Sequence, residues 1–352
     1  MDKVRFAVVG VGLIGHRHMA MINENAGAEL CAVCDIRPRA ELDIPDELPL
    51  FRTIADLLAH HPEVEVVNIC TPNGLHAAMA IEVLNAGRHV TIEKPMALST
   101  TDARAVIDAE QRSGRRAFVV LQNRYSPSSQ WLRGIVDEHR LGDILMVNLN
   151  CMWNRDERYY SPGHWHGTLD MDGGPLFTQY SHFIDLLCWL FGPLHSVEAT
   201  RFECFTHSKL TDFEDSGSMI LRLGRTGKTL ATVTYSTSVW DTNAEISMTV
   251  VGTNGTVKIS GRYMNEVTLC HIKDYTMPAL PPADKPNDYA GYKGSAANHQ
   301  YVIQNIIDTL RHGAEPTANT ADGMRTVELI EKVYEQRGAT ISAALKCKYE
   351  LC

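Results

Sequence analysis

Gly10-Val11-Gly12-Leu13-Ile14-Gly15 decides how the first third of the chain is read. The apolar run 4–10 leads into it and predicts a strand. Residues 14–24 follow with helical periodicity. In such a strand-turn-helix the first glycine permits the tight turn and the second lets backbone approach a pyrophosphate. The third lets helix and strand pack closely. Leu13 and Ile14 carry the turn into the helix, whose free N–H groups and dipole favour an anion. Asp35 closes the next apolar run, 20 residues after Gly15. A carboxylate there hydrogen-bonds ribose hydroxyls. It would repel a 2′-phosphate, which favours NAD over NADP. Arg37 and Arg39 pull the other way, because either could pair with that phosphate. A structural glycine turn with an unrelated aspartate is the bland alternative.

Outward from this turn, strands are predicted at 29–34, 66–71, 89–93 and 117–122. Helical stretches at 53–59, 75–86 and 101–113 lie between them. Alternation of this kind, with continuously apolar strands, predicts a parallel sheet covered on both faces. The expected fold class is an N-terminal α/β Rossmann domain over residues 1–122. The pattern changes beyond it. After a helix at 128–139 come strands at 144–153, 196–205, 216–223, 229–236, 244–251 and 255–259. Turn signals fall at 222–228 and 252–255, and a helix at 174–191 interrupts the strands. A proline-rich loop (Pro278, Pro281, Pro282, Pro286) leads to helices at 297–311 and 321–336. Residues 123–352 therefore predict an α+β domain on a large, mostly antiparallel sheet. It is expected to bind substrate and to form a homodimer or homotetramer through that sheet.

The chain has 352 residues and a net charge of -9, which argues against broad nucleic-acid binding. No run of 18 apolar residues occurs, so no membrane span is expected. The first residues lack the layout of a signal peptide. Nine cysteines, mostly in apolar runs, read as free thiols of a cytoplasmic protein. Cys31 and Cys34 form a CxxC, but inside a strand their odd spacing sends them to opposite faces. Asn254-Gly255-Thr256 reads as a hairpin turn rather than a glycosylation site.

Glu93-Lys94-Pro95 falls at the carboxyl end of the fourth expected strand, where open α/β sheets bind ligands. Burial there would disfavour the charged amine, which lets a lysine exchange a proton with a hydroxyl. In isolation this lysine reads as an exposed loop residue. Three further motifs change that: Cys70-Thr71-Pro72-Asn73 with His76, Asp172-Gly173-Gly174-Pro175-Leu176, and His182-Phe183-Ile184-Asp185. Together with the glycine turn and Glu93-Lys94-Pro95, in this order, the chain resembles the Gfo/Idh/MocA oxidoreductases along essentially its whole length. The resemblance implies NAD-dependent oxidation of a sugar hydroxyl, with Lys94 and His182 flanking the reacting carbon. It places Thr71, Pro72, Asn73 and His76 along the cofactor, and Glu93 and Gln122 near the nicotinamide. Many members carry an aspartate one helical turn before the histidine; here Thr178 stands there, beside Gln179. Threonine cannot act as a base, so Lys94 takes the acid/base role first and His182 second. No metal is expected.

Between residues 153 and 189, Trp-x-Arg, Tyr-Tyr, Trp-x-Gly-Thr, Asp-Gly-Gly and Gln-x-x-His resemble the WlbA-type branch. Those enzymes oxidise the 3-hydroxyl of UDP-N-acetylglucosaminuronate on the way to surface polysaccharide precursors. His166 and Thr178 depart from that branch's pattern. Arg155 and Arg158 are candidate anion ligands. Tyr159 and Trp165 are candidate faces for a base or sugar. Asn123, Arg124, Tyr125, His166, Thr178, Gln179 and His182 complete the expected sugar pocket, with Lys293, Asn298 and His299 in a covering loop. An inositol or other sugar substrate is the alternative within the family. A non-catalytic nicotinamide-binding regulator is the alternative outside it.

Overall fold

The computed structural model describes residues 2–161, 163–288 and 293–337. The chain forms two units. One comprises Met1–Gln122 and Asn298–Val327, the other Asn123–Ala297 and Glu328–Cys352.

The first unit is built on β1 (Val4–Val9), β2 (Ala28–Cys34), β3 (Leu50–Phe51), β4 (Val66–Ile69), β5 (His89–Ile92) and β6 (Ala117–Val119). They form a parallel sheet in the order β3-β2-β1-β4-β5-β6. Val4, Phe6, Ala7, Val8, Val66, Val67 and Ile69 are completely buried, as continuous apolar strands between two helix layers must be. Helices α1 (Leu13–Glu24), α2 (Ile54–His60), α3 (His76–Asn85) and α4 (Thr100–Ser113) connect the strands. Thr53 and Ser99 cap α2 and α4 by accepting from Asp56 and Asp102 backbone N–H groups. Chain order reverses between β1 and β4, which opens a crevice at their carboxyl ends.

The segment 298–327 rejoins this unit, whereas the sequence reading assigned all residues beyond 122 to the second domain. It contains α8 (His299–His312) and most of α9 (Thr320–Tyr334). Helix α8 buries Val302, Ile303, Ile306 and Ile307 on one face and packs against α1. Arg311 ties its end to the Asp2 and Lys3 carbonyls and to Glu65. Amphipathic spacing foretells such a helix but not which unit receives its apolar face.

In the second unit, α5 (Pro127–Asp137), α6 (Pro175–Thr178) and α7 (Ser181–Phe191) accompany a seven-stranded sheet. Its strands are β7 (Ile144–Met152), β8 (Leu194–Glu203), β9 (Ser216–Leu223), β10 (Thr229–Ser236), β11 (Glu245–Gly252), β12 (Gly255–Ser260) and β13 (Glu266–Ile272). The order is β13-β12-β11-β7-β10-β9-β8, antiparallel except where β7 meets β10. A short hairpin, β14 (Pro286–Asp288) with β15 (Lys293–Ala296), lies apart. The helix expected at 174–191 is broken at Gln179-Tyr180. Both of their N–H groups turn to the Pro175 carbonyl. Tyr180 packs between Trp153 and Tyr235 and donates to the Ser236 carbonyl at 2.7 Å. That anchoring competes with helical continuation. Thr178 and His182 therefore lie on different helices rather than one turn apart on a shared face.

Gly10 and Gly15 have no room for a side chain. Gly10 has φ +88°, and a Cβ on Gly15 would lie 2.0 Å from the Gly10 carbonyl oxygen. Gly15→Ala is expected to destabilise the unit by about 1–3 kcal/mol, the usual cost of overpacking. It should also weaken NADH binding, both measurable by thermal unfolding with and without NADH.

Candidate active site

The carboxyl ends of β1, β2, β4 and β5 gather the residues expected to hold the dinucleotide. Asp35 Oδ2 accepts from the Val11 N–H at 2.8 Å, which locks the acidic residue to the glycine turn. Arg37 covers the same carboxylate, with Nη2 2.8 Å from Oδ2 and 2.9 Å from the Val11 carbonyl. Burial alone would raise the Asp35 pKa; the hydrogen bonds from Arg37 and Val11 outweigh it and hold the group below its usual value. Arg39 is fastened to the Pro45 and Leu48 carbonyls instead. Of the two arginines that could meet a 2′-phosphate, only Arg37 thus lies at Asp35. Around Gly12 a side chain would meet nothing within 4 Å. An open backbone turn, a positioned carboxylate and a helix N-terminus fit a dinucleotide such as NAD.

Past β4, Thr71, Pro72 and Asn73 lead into His76. The His76 ring is buried between two carbonyls, with Nδ1 2.7 Å from Pro95 O and Nε2 2.8 Å from Thr71 O. Burial pushes its pKa down despite these contacts. A neutral ring carries one N–H, so it donates to one carbonyl at a time. His76 thereby links the turn after β4 to the turn after β5.

Glu93 directly follows β5 and is buried. Its Oε1 lies 2.9 Å from His18 Nε2 and 3.5 Å from His299 Nε2. Its Oε2 accepts the Lys94 backbone N–H at 3.1 Å. Burial opposes its charge, but the hydrogen bond from His18 and the nearby His299 ring prevail and hold its pKa well below the carboxylate range. Gln122, at the end of the first stretch of this unit, accepts at its carbonyl from Asn298 Nδ2 at 3.0 Å. Neither Asn298 nor His299 lies in a surface loop: both are buried in the first unit.

Within the second unit, the residues expected to line a sugar pocket converge near the start of α7. Arg155 is buried and engaged on all three nitrogens. Nε donates to Gln179 at 2.7 Å, Nη1 to the Asn154 carbonyl at 2.6 Å, and Nη2 to the Lys293 carbonyl at 3.3 Å. It stacks on Trp153 and Tyr159. Gln179 Nε2 in turn donates to Tyr159 Oη at 2.7 Å. Arg124 is equally enclosed, bonded to Asp185 at 2.6 and 2.8 Å and lying over Trp189. Asn123 Oδ1 accepts from Ser295. Through these bonds the two arginines hold separate stretches of the unit together. Arg158 is exposed and pairs with Asp156 and Asp241. Trp165 stacks on His166 at 3.9 Å, and His166 touches Tyr159 at 4.2 Å. Thr178 bonds to buried Asp172, whose carboxylate also takes the Gly167 N–H at 2.9 Å. His182 is buried at the first turn of α7.

An oxidoreductase family model, described as having an NAD-binding Rossmann fold, matches residues 4–121. The Gfo/Idh/MocA C-terminal domain matches residues 129–258. The chain belongs to the Gfo/Idh/MocA family. Its first unit is that family's NAD-binding Rossmann fold. A solved WlbA dehydrogenase from Bordetella pertussis, in complex with NADH and UDP-GlcNAcA, is 31% identical and superposes with a TM-score of 0.83. The match covers 95% of this chain and 96% of that one. Inositol 2-dehydrogenase from Rhizobium meliloti is 25% identical over 96% of this chain and 99% of that protein. The same enzyme from Salmonella typhimurium is 36% identical over 151 residues. That match spans 41% of this chain and less than half, 45%, of that protein.

Some of what organises this Gfo/Idh/MocA site escaped the sequence reading. His18, Asn68 and Asn243 were not singled out, and Asp172 and Asp185 were read only as parts of motifs, with no partner assigned. His18 had a usable signal, since it follows Gly15 by three residues and falls on the sheet-facing side of α1. Burial pushes the Cys31 thiol up to about 11 and the Cys34 thiol up to about 12, which disfavours the thiolate at both. Asp185→Ala should cost about 3–5 kcal/mol by stranding the buried Arg124 charge. The double change Arg124→Met with Asp185→Leu should recover much of that loss. Urea unfolding of the two variants beside the wild type checks both.

Proposed function

We propose that this protein oxidises a secondary hydroxyl of a sugar, with NAD as the hydride acceptor. The substrate we assign is a UDP-linked N-acetyl sugar or its uronic acid, oxidised at C3. The observation that carries the reading is the placement of Lys94. It follows the anchored carboxylate of Glu93 at the carboxyl end of β5, in an NAD-binding Rossmann unit. The likeness to WlbA over nearly the whole chain supports the choice of sugar.

Bound NAD supplies the electron-pair acceptor for the hydride leaving carbon. The protein's task is the proton. In this reading Lys94 takes it from the hydroxyl through Nζ, and His182 orients that hydroxyl. Gln179, Tyr159 and Arg155 brace the wall from which α7 starts. The stacked rings of Trp165 and His166 are partly exposed and offer an apolar face to a sugar or base. The Rhizobium relative favours a second reading, an inositol substrate.

No helix among the described residues is long and apolar enough to cross a membrane. The free thiols support a reducing, cytoplasmic setting. We further propose a homo-oligomer through the outer face of the seven-stranded sheet. There Val251, Met146, Leu230 and Arg222 form one cross-strand row; Thr249, Asn148, Thr232 and Ile220 form the next. Met146 and Ile220 are exposed in the single chain.

Lys94→Ala should lower kcat about 10²–10⁴-fold, the usual contribution of acid–base catalysis, with NADH binding retained. Unchanged kcat would remove the assignment. NADH formation with UDP-N-acetylglucosaminuronate but not with myo-inositol supports the nucleotide-sugar reading, and the reverse selects the second one. Thr232→Arg should dissociate the oligomer in sedimentation velocity. A native chain that sediments as a monomer contradicts that interface.

A further inference from the structure

The buried group around Glu93 contains more than a cofactor wall requires. His18 on α1 meets Asn68 Nδ2 at its Nδ1, 2.9 Å away. That nitrogen accepts, so the ring proton sits on Nε2 and points at Glu93 Oε1. His299, at the start of α8, lies edge-on to His18 with ring centroids 5.5 Å apart. It is buried, and its ring nitrogens make no geometrically good hydrogen bond; Nε2 faces Glu93 Oε1. Burial pushes its pKa down, which keeps the ring neutral. Other charged or titratable groups here are His76, which feels both Glu93 and Lys94, Cys70, which feels Glu93, and Arg17, which acts on His299.

The three ligating atoms of His18, Glu93 and His299 lie within 4.8 Å of one another. A metal ion could use that spacing. The 2.9 Å separation of His18 from Glu93 is a hydrogen-bond length, and the Asn68 amide already places a proton in it. The remaining oxygen of the carboxylate holds the Lys94 backbone. The geometry thus leads to the lysine.

We propose that Glu93, held by His18 and His299, is the positioning residue for Lys94. Its Oε2 fixes the backbone from which the lysine side chain starts. Its permanent negative charge stabilises the ammonium form and so sets the pH at which Lys94 can accept a proton. His299, at the start of α8, gives the returning segment, residues 298–327, a part in this. The inference rests on the catalytic role given to Lys94 above, but its principal readout does not depend on that role.

The test uses the full-length protein saturated with NADH. Lysines are reductively methylated with isotopically labelled methyl groups, Lys94 is assigned by Lys94→Arg, and its titration is followed by NMR. Removing the nearby negative charge in Glu93→Gln should lower the Lys94 midpoint by about one pH unit. In parallel, single-turnover NADH formation with UDP-N-acetylglucosaminuronate should fall about 10–100-fold in Glu93→Gln, the scale of a small misplacement. If Glu93→Gln does not fold, His299→Phe keeps the ring volume and removes the nitrogens; it should slow the single turnover severalfold with NADH binding intact. An unshifted Lys94 midpoint with wild-type turnover, in whichever variant folds, overturns the inference. Stoichiometric zinc in the purified protein also overturns it, since the ion would replace the His18 proton. Full activity in Lys94→Ala would instead sink the catalytic reading, while the NMR midpoint would still report whether Glu93 controls the lysine.

Discussion

Two glycines must touch before this chain can have a site. Gly15 packs so closely on the Gly10 carbonyl that a methyl group would overlap it. This contact sets how far α1 can approach β1. It points the helix N-terminus at the crevice where strand order reverses. It also aims His18, one turn further along α1, at the carboxyl end of β5. The Val11 N–H inside the same turn captures Asp35. One backbone approach therefore orients both ends of a dinucleotide site: the carboxylate for the ribose and the cluster beneath the lysine.

Buried charge is the second organising feature. Glu93, Arg124, Asp185 and Arg155 are all buried. An unpaired charge there would be prohibitively costly, so each is enclosed by partners. The result is a division of labour. The enclosed groups fix backbone and ring positions, whereas Lys94, Trp165 and His166 remain partly exposed. Thr178, where many relatives carry aspartate, bonds to Asp172 and adds no base. In the proposed reading proton transfer therefore falls to the lysine turn.

The parallel sheet and its glycine turn were readable because both are local patterns. The strand ends were not. Expected strands at 66–71 and 117–122 stop at Ile69 and Val119, because the apolar run continues into the turns that carry Thr71 and Gln122. Strand β3 is two residues long and β13 lies at a sheet edge with mixed exposure, so neither shows a clean period. The arginines mark the limit most clearly. Read locally, Arg124 and Arg155 are cations near a substrate loop. Their partners, Asp185 and Asn243, lie 61 and 88 residues away, where periodicity carries no information. The same distance hid the pairing of His18 with Glu93, 75 residues apart. The return of α8 to the first unit is a further long-range choice, set by where its apolar face finds cover.

The central claim is direct transfer of hydride from a sugar carbon to NAD. The most direct measurement supplies UDP-N-acetylglucosaminuronate deuterated at C3, with NAD and the purified protein, and examines the nicotinamide ring by mass spectrometry and NMR. The account predicts one deuterium at C4 of the NADH formed. NADH formed without deuterium would contradict transfer from C3, and no NADH from this or any other sugar would contradict the oxidoreductase reading of the site.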